Sequence, residues 1–269
     1  MRKLRLDRLL VERGLAASRE RAQAMILAGK VLVDEQKVEK AGANVVAEAK
    51  LRLLGEDLKY VSRGGVKLEA ALDGWGIEVA GKTCMDVGAS TGGFTDCLLQ
   101  RGARRVIAVD TGYGQMDARL RTDPRVRLLE RTNARYLKPE DVGERVEVVA
   151  MDVAFISATL VLPAAIRSCL AAEERGRDAR ATAGETPALR QSETPALLEL
   201  VVLVKPQFEV GKGKVGKGGI VRDPQEQQAA VEKVRRAVEG LGGTEIEVME
   251  SPITGVEGNR EFLLHARFQ

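Results

Sequence analysis

Between Cys84 and Phe94 the chain reads C-M-D-V-G-A-S-T-G-G-F, an apolar run that stops in a glycine-rich turn and then opens a helix. Glycines let backbone approach a ligand closely, and the free N–H groups of a helix start attract a carboxylate or phosphate. The spacing narrows the choice. A dinucleotide fingerprint needs G-x-G-x-x-G, whereas Gly88, Gly92 and Gly93 give G-x-x-x-G-G, and no Gly-Lys-Ser/Thr follows to make a phosphate loop. A glycine turn with no ligand is the competing reading.

Around this turn, apolar runs at Thr83–Val87, Arg105–Asp110, Val126–Leu129, Val146–Asp152 and Leu198–Lys205 alternate with helical segments. That alternation predicts an α/β fold with a doubly wound, mostly parallel sheet. Glu245–Met249 and Glu261–Ala266 are expected to close the sheet and to include an antiparallel pair. Asp223-Pro224-Gln225-Glu226 carries the N-cap, the proline and the acid of a helix start. Asp110 ends the second strand, where an acid accepts hydrogen bonds from ribose hydroxyls, and Asn133 follows the third, placed to reach an adenine. Residues 171–198 contain E-T-P-A-L twice and read as a mobile insertion. It joins a helix to the N-terminal end of a strand, so it is expected on the face away from the chemistry.

A length of 269 residues accommodates one α/β domain and a small appended module. No apolar run approaches the ~20 residues of a membrane span, and Met1–Arg8 lacks the apolar stretch of a signal peptide. A cytoplasmic location with no membrane partner is therefore expected. Cys84, Cys97 and Cys169 share no metal-ligand spacing, so no metal site is expected. His265, the single histidine, sits in the final apolar run and reads as structural. Catalysis then falls to Lys, Asp and Glu. Nothing in the sequence specifies an oligomeric state.

The first 58 residues have a different texture. Leu6, Leu9, Leu10 and Val11 give a first helix an apolar stripe that Gly14 can stop. Ser18 can cap a second helix, with Ala22, Met25, Ile26 and Leu27 facing inward and Gly29 ending it; Val31–Asp34 reads as a strand entering a turn. The net charge of +3 is uninformative, but Arg5, Arg8, Arg19, Arg21 and Lys30 crowd this end. Such a face is either a footprint for phosphate or a solvated helix surface. The stretch R-L-D-R-L-L-V-E-R-G-L-A-A-S-R-E-R-A-Q-A-M-I-L-A-G-K-V-L-V-D resembles the small α+β RNA-binding domain first described in ribosomal protein S4, over most of residues 3–50. The resemblance implies that these basic residues grip RNA phosphates, which positions a protein without reading sequence. Residues 1–58 are thus expected to form an RNA-binding domain, 59–66 a linker, and 67–269 the α/β domain.

The turn also resembles the S-adenosylmethionine site of Rossmann-like methyltransferases, which assigns Asp86, Gly88, Ser90, Thr91, Gly92, Gly93, Phe94, Asp110, Asn133 and Asp152 to the cofactor. Four further segments are S-R-G-G-V-K-L from Ser62, M-D-V-A-F-I-S from Met151, V-K-P-Q-F-E from Val204 and G-N-R-E-F from Gly258. They are similar to the Lys-Asp-Lys-Glu regions of the FtsJ/RrmJ-type ribose 2′-O-methyltransferases. With the N-terminal module, the whole is similar to the TlyA family, rRNA cytidine 2′-O-methyltransferases often labelled haemolysins. The resemblance implies a tetrad of Lys67, Asp152, Lys205 and Glu261, and a cytidine ribose of rRNA in an assembled ribosomal subunit as substrate. The short end after the last strand resembles the family type that acts on large-subunit rRNA.

The residue types suit the chemistry. A ribose hydroxyl is a weak nucleophile, and a neutral lysine amine can take its proton. A free lysine titrates near ~10.4, so a second ammonium nearby is needed to favour the neutral amine, while carboxylates act in the opposite sense. Lys205 is the expected base, Lys67 its modulator, and Asp152 and Glu261 the orienting acids; the alternative is that the lysines merely orient the hydroxyl and the proton leaves late. Arg63 and the lysines of G-K-G-K-V-G-K-G-G, Lys212, Lys214 and Lys217, are expected on the RNA backbone. Three rival readings are a membrane-active haemolysin, an RNA-binding module without catalysis, and a small-molecule methyltransferase. The last leaves the basic module without a purpose.

Overall fold

Short apolar runs bounded by turns become strands here because their neighbours bury both faces of the sheet they form. The computed structural model describes residues 3–16, 18–53, 59–171, 197–255 and 258–269. It divides into two compact units, Met1–Leu58 and Lys59–Gln269.

The first unit runs β1 (Lys3–Arg5), α1 (Leu6–Glu12), α2 (Arg19–Leu27), β2 (Val31–Val33), β3 (Gln36–Lys37), β4 (Asn44–Val46) and β5 (Leu51–Leu53). β1 pairs with β4, and β2 lies between β3 and β5, all antiparallel. Leu6, Leu10, Ala22, Met25 and Ile26 form the core beneath the helices. Ser18 caps α2 by accepting the Arg21 N–H at 3.2 Å. Leu27 departs from expectation: it is 69% exposed. The stripe set by Ala22, Met25 and Ile26 advances by three or four residues, so position 27 rotates off it, and Val11 is turned outward for the same reason.

Asp7 is the electrostatic centre of this unit. Its carboxylate is fully buried and accepts from Arg5 Nη2 at 2.8 Å, Gln23 Nε2 at 2.8 Å and Arg19 Nη2 at 3.3 Å. A buried charge persists only when it is paired in this way. The Arg5 guanidinium, ahead of burial and of Gln23, holds the Asp7 carboxyl well below the usual carboxylate range. Arg5 and Arg19, expected on RNA, therefore spend part of their charge at home, although their side chains stay 45% and 49% exposed. Arg8 is exposed, and Arg21 and Lys30 are half-buried.

The second unit runs α3 (Gly64–Trp75), β6 (Thr83–Val87), α4 (Gly93–Gln100), β7 (Arg105–Val109), α5 (Ala118–Arg121), β8 (Val126–Leu129), α6 (Pro139–Val142) and β9 (Val148–Met151). A helix, α7, covers 162–171. β10 (Leu198–Val204), α8 (Pro206–Glu209), α9 (Pro224–Gly240), β11 (Thr244–Glu250) and β12 (Phe262–Phe268) follow. The sheet order is β11-β12-β10-β9-β6-β7-β8. β12 is antiparallel to both neighbours, whereas β10, β9, β6, β7 and β8 are parallel. This is the Rossmann-like methyltransferase sheet. Met85, Ile107 and Val149 face one hydrophobic layer and Cys84, Val106 and Val148 the other, which is why these strands read as unbroken apolar runs.

Residues 59–66, expected as a linker, pack into this unit: Tyr60 is buried, the Val61 N–H donates to Asp96 Oδ2 at 2.8 Å, and α3 starts at Gly64. Most of the expected insertion, 172–196, lies outside the described residues. Asp223 caps α9 by accepting the Gln225 N–H at 2.9 Å. The cysteines are free and buried, and burial pushes the thiols up, to about 12 for Cys84 and Cys169 and about 11 for Cys97. They are packing residues. His265 is buried too, with Nε2 2.5 Å from Glu199 Oε2 and its ring stacked on Trp75.

Asp7→Asn should destabilise the first unit by about 1–3 kcal/mol, the range for a hydrogen bond to a charged group, read by amide exchange across α1 and α2 in the full chain. Because the folded Asp7 titrates below its unfolded value, its contribution is present above about pH 4 and is lost as pH falls. The variant should lack that acid-dependent loss.

Candidate active site

The turn after β6 depends on backbone contacts that only glycine permits. Gly88 has φ +90°, donates its N–H to Val109 O at 2.8 Å, and carries no Cβ to strike the carbonyl of Asp152. Gly93, at the start of α4, meets the start of α3: a Cβ there would strike Ser62 Oγ and come within 3.1 Å of Gly65 N. Gly93 thus meets the Gly64-Gly65 pair backbone to backbone, which brings the start of α3, with Lys67 one turn in, up to the start of α4. Phe94 is buried and packs beside Gly64. Thr91, Gly92, Gly93 and Phe94 build the turn and do not line the cavity beside it.

That cavity, of about 370 Å³, opens where β6, β7, β8 and β9 end. Gly88, Ser90, Asp110, Asn133 and Asp152 all line it. Asp110 accepts from Ser90 N at 2.8 Å and Gly112 N at 2.6 Å, one bond to each oxygen. A carboxylate has about four acceptor positions, so two are left for a ligand's hydroxyls. Asn133 accepts from Arg135 N at 3.1 Å through Oδ1, which leaves its NH₂ end as the donor.

Asp86 has a different place. It is fully buried, and Oδ2 accepts from Thr95 N at 2.9 Å and Thr95 Oγ1 at 2.6 Å. Oδ1 has no partner. Burial pushes this carboxyl up to about 7, with the charges of Asp152 and Asp110 adding to the shift and Thr95 opposing it. Asp86 braces the turn from beneath and is not among the lining residues.

Sequence reasoning missed Thr111, Gln115 and Thr132, and the wall Val153–Ile156. The legible signal was position, since each follows directly on the carboxyl end of a parallel strand. Phe155 stands out: it is 92% exposed, has φ +64°, and its ring lies tilted against that of Phe208, centroids 5.5 Å apart. A bulky residue held left-handed is a local strain of about 1–3 kcal/mol.

The four expected tetrad residues meet at this end of the sheet as two ion pairs. Lys67 Nζ lies 2.5 Å from Glu261 Oε2, with side chains 10% and 3% exposed. Lys205 Nζ lies 2.5 Å from Asp152 Oδ1, off the alignment of a hydrogen bond. Topology explains the gathering. Asp152 and Lys205 each follow the carboxyl end of a parallel strand, and Glu261 precedes β12, whose Phe262 pairs with Val204 of β10.

Asn259, also missed, ties the neighbouring loops together. It is buried, accepts from Val221 N at 2.9 Å and donates to Gly219 O at 2.9 Å. The lysine-bearing loop is thereby fastened two residues from Glu261. Within that loop Lys217 is exposed, Lys214 pairs with Glu226 at 2.8 Å, and the side chain of Lys212 lies outside the described residues. Arg63 is exposed and donates to Thr254 O at 2.6 Å.

Residues 60–268 match the model of the FtsJ-like methyltransferases, and residues 4–50 match that of the S4 domain. The chain is 45% identical over its whole length to the 16S/23S rRNA (cytidine-2′-O)-methyltransferase TlyA of Mycobacterium tuberculosis, covering 91% of that protein. It is 35% identical to the 23S rRNA (cytidine-2′-O)-methyltransferase TlyA of Campylobacter jejuni, over 80% of this chain and 73% of that one. Among solved structures, a candidate haemolysin from Streptococcus thermophilus superposes with a TM-score of 0.68 at 37% identity, covering 99% of this chain and 89% of the other.

Two substitutions test the site's construction. Gly88→Ala should force the turn off the Asp152 carbonyl and speed amide exchange over the turn and the Asp152 loop, measured by mass spectrometry. For Asp86 the folded carboxyl titrates above its unfolded value, so the stability of the wild type relative to Asp86→Asn should fall as pH rises from about 4 to about 7. The full change is on the order of 3–4 kcal/mol, read from denaturant midpoints across that window.

Proposed function

The chain belongs to the FtsJ-like methyltransferase family, and on that premise we propose that it moves a methyl group from S-adenosylmethionine to a cytidine ribose 2′-hydroxyl of ribosomal RNA. The observation that carries this reading is the two Lys–carboxylate contacts, one buried and one half-buried, beside a cavity of about 370 Å³. The cavity fits the cofactor: Asp110 keeps acceptor positions for ribose hydroxyls, Asn133 offers a donor to a base edge, and the Cβ-free Gly88 allows close approach. When bound, S-adenosylmethionine supplies an electrophilic methyl group. The chain's own residues then have to hold an oxygen in line and dispose of one proton.

Lys205 acts from its neutral amine form: oriented by Asp152, it takes the hydroxyl proton as the ribose oxygen becomes the nucleophile, and the ammonium so formed pairs with Asp152 as in the contact seen here. Lys67, held by Glu261, faces the developing negative charge on that oxygen and stabilises it electrostatically. Phe155 offers an exposed aromatic face next to Asp152, suited to stacking on a base taken out of its helix. The S4 domain supports an RNA substrate, with Arg8, Arg19 and Lys30 as phosphate contacts. Lys217 and Arg63 have the exposure to do the same near the site. Large-subunit rRNA within an assembled subunit is the favoured target, because 23S rRNA is common to the names of both TlyA relatives. No helix among the described residues is long and apolar enough to cross a membrane.

Labelled-methyl transfer to separate, unmodified ribosomal subunits tests the reading, with alkali-resistant dinucleotides marking a ribose product. Label should enter large-subunit RNA. Lys205→Met should reduce transfer by about 10²–10⁴-fold, the usual contribution of a general base, and leave cofactor affinity unchanged. Near-normal transfer by this variant would sink the role given to Lys205.

A further inference from the structure

Glu209 is a buried carboxylate that the reaction does not use, and its surroundings are built with care. Its side chain is 2% exposed. Oε1 accepts the Ala158 N–H at 2.7 Å; Oε2 accepts the Ser157 hydroxyl at 2.5 Å and Lys233 Nζ at 3.0 Å. Lys233, from α9, also donates to the main-chain carbonyl of Glu209 at 2.8 Å and reaches Ser157 Oγ at 3.2 Å. Ser157 and Ala158 come directly after the segment 152–156 that lines the cavity.

Glu209 ends the short helix that begins one residue after Lys205. Ser157 and Ala158 end the loop that begins at Asp152 and forms the cavity wall 153–156. At its near end this loop is held by the Asp152 N–H bond to Val87 O, 2.9 Å. At its far end it is held by Glu209. Phe155, left-handed and almost fully exposed between the two anchors, makes its ring contact with Phe208, the residue before Glu209. A strained residue persists only where its surroundings over-determine it.

We propose that Glu209, clamped by Lys233, is a positioning residue: it staples the Asp152 loop to the Lys205 segment and so sets the geometry of the Lys205–Asp152 pair and of the cofactor wall. The proposal rests on the methyl-transfer reading for its catalytic consequence, but its structural consequence is independent of that reading. A carboxylate is suited to the task because it accepts several donors at once, including a charge-assisted one. A glutamine offers one acceptor oxygen, and its NH₂ would face the Ser157 hydroxyl, the Lys233 ammonium or the Ala158 N–H.

The test compares Glu209→Gln, Lys233→Met and Lys233→Arg in the full chain by amide exchange, S-adenosylmethionine affinity, and kcat and KM for subunit methylation. In Glu209→Gln and Lys233→Met, exchange should accelerate over 153–158 while the central strands stay protected. Cofactor affinity should weaken, and kcat should fall by up to about 10²-fold, the penalty of an ångström-scale misplacement, with KM for the subunit little changed. Lys233→Arg should restore all three. Should Glu209→Gln fail to fold, Lys233→Met decides, because Lys233 is 45% exposed and its loss leaves the core intact. Unchanged exchange and affinity in Lys233→Met would overturn the proposal, and so would faster exchange spread evenly over the sheet. If the wild type transfers no methyl to either subunit, the functional reading fails by itself, while exchange and cofactor affinity still decide the staple.

Discussion

The close approach of the Gly88 backbone to the carbonyl of Asp152 governs the geometry of the active end of the second unit. It occurs where strand order reverses: from β6 the chain steps to β7 and β8 on one side, then crosses to β9 and β10 on the other. Strands diverge at such a point, and ligands of open α/β sheets settle in the crevice that results. A side chain at position 88 would push β9's loop away and with it Asp152, the residue that lines the cavity and pairs with Lys205. The cavity wall and the Lys205–Asp152 pair therefore depend on one missing methyl group. The same economy recurs where Gly93 meets Gly65 and allows α3 to deliver Lys67.

Among the described residues, buried charge is handled by pairing, and Asp86 stands apart. Lys67 with Glu261, Lys205 with Asp152, Glu209 with Lys233 and Asp7 with its arginines each keep a counter-charge in contact. Breaking such a pair strands a charge in low dielectric, which costs more than the pair itself contributes. Asp86 is the exception among these carboxylates: one oxygen is satisfied by Thr95, the other has no partner, and burial holds the carboxyl near the protonated form. Asp152 and Asp110 add to that shift, and a proton taken up by Asp86 spares this end of the sheet a negative charge.

Much of this was legible beforehand for identifiable reasons. The inner strands β6, β7, β9, β10 and β12 coincide with apolar runs because both faces are buried, whereas β11 at the sheet edge is exposed at most positions and interleaves apolar with acidic residues. The caps at Ser18 and Asp223 were legible because capping is local chemistry. Leu27 and Val11 were misplaced because an apolar residue at a helix end reads as part of the stripe until the rotation per residue is counted. Residues 59–66 looked like a spacer because they are polar, yet Tyr60 and the two glycines make them part of the packing around α4. Phe155, Asn259 and Glu209 stand inside segments that resemble the family, but their partners are distant in sequence, so the contacts they make were not legible.

By itself, the sequence determined what is local or periodic: the strand and helix alternation, the glycine spacing that excludes dinucleotide and phosphate loops, the basic first unit, and the segments whose likeness to a family names the tetrad candidates. Which residues touch was decided only by the fold. That Glu261 holds Lys67 and Asp152 holds Lys205, that Arg5 and Arg19 fold back on Asp7, and that Asp86 lies beneath the turn rather than in the cavity all follow from strand order and helix approach. The reason is one of range. Propensity, capping and turn chemistry act over a few residues, whereas the pairing of buried charges is set by contacts between segments as far apart as Lys67 and Glu261, which come together only once the sheet has formed.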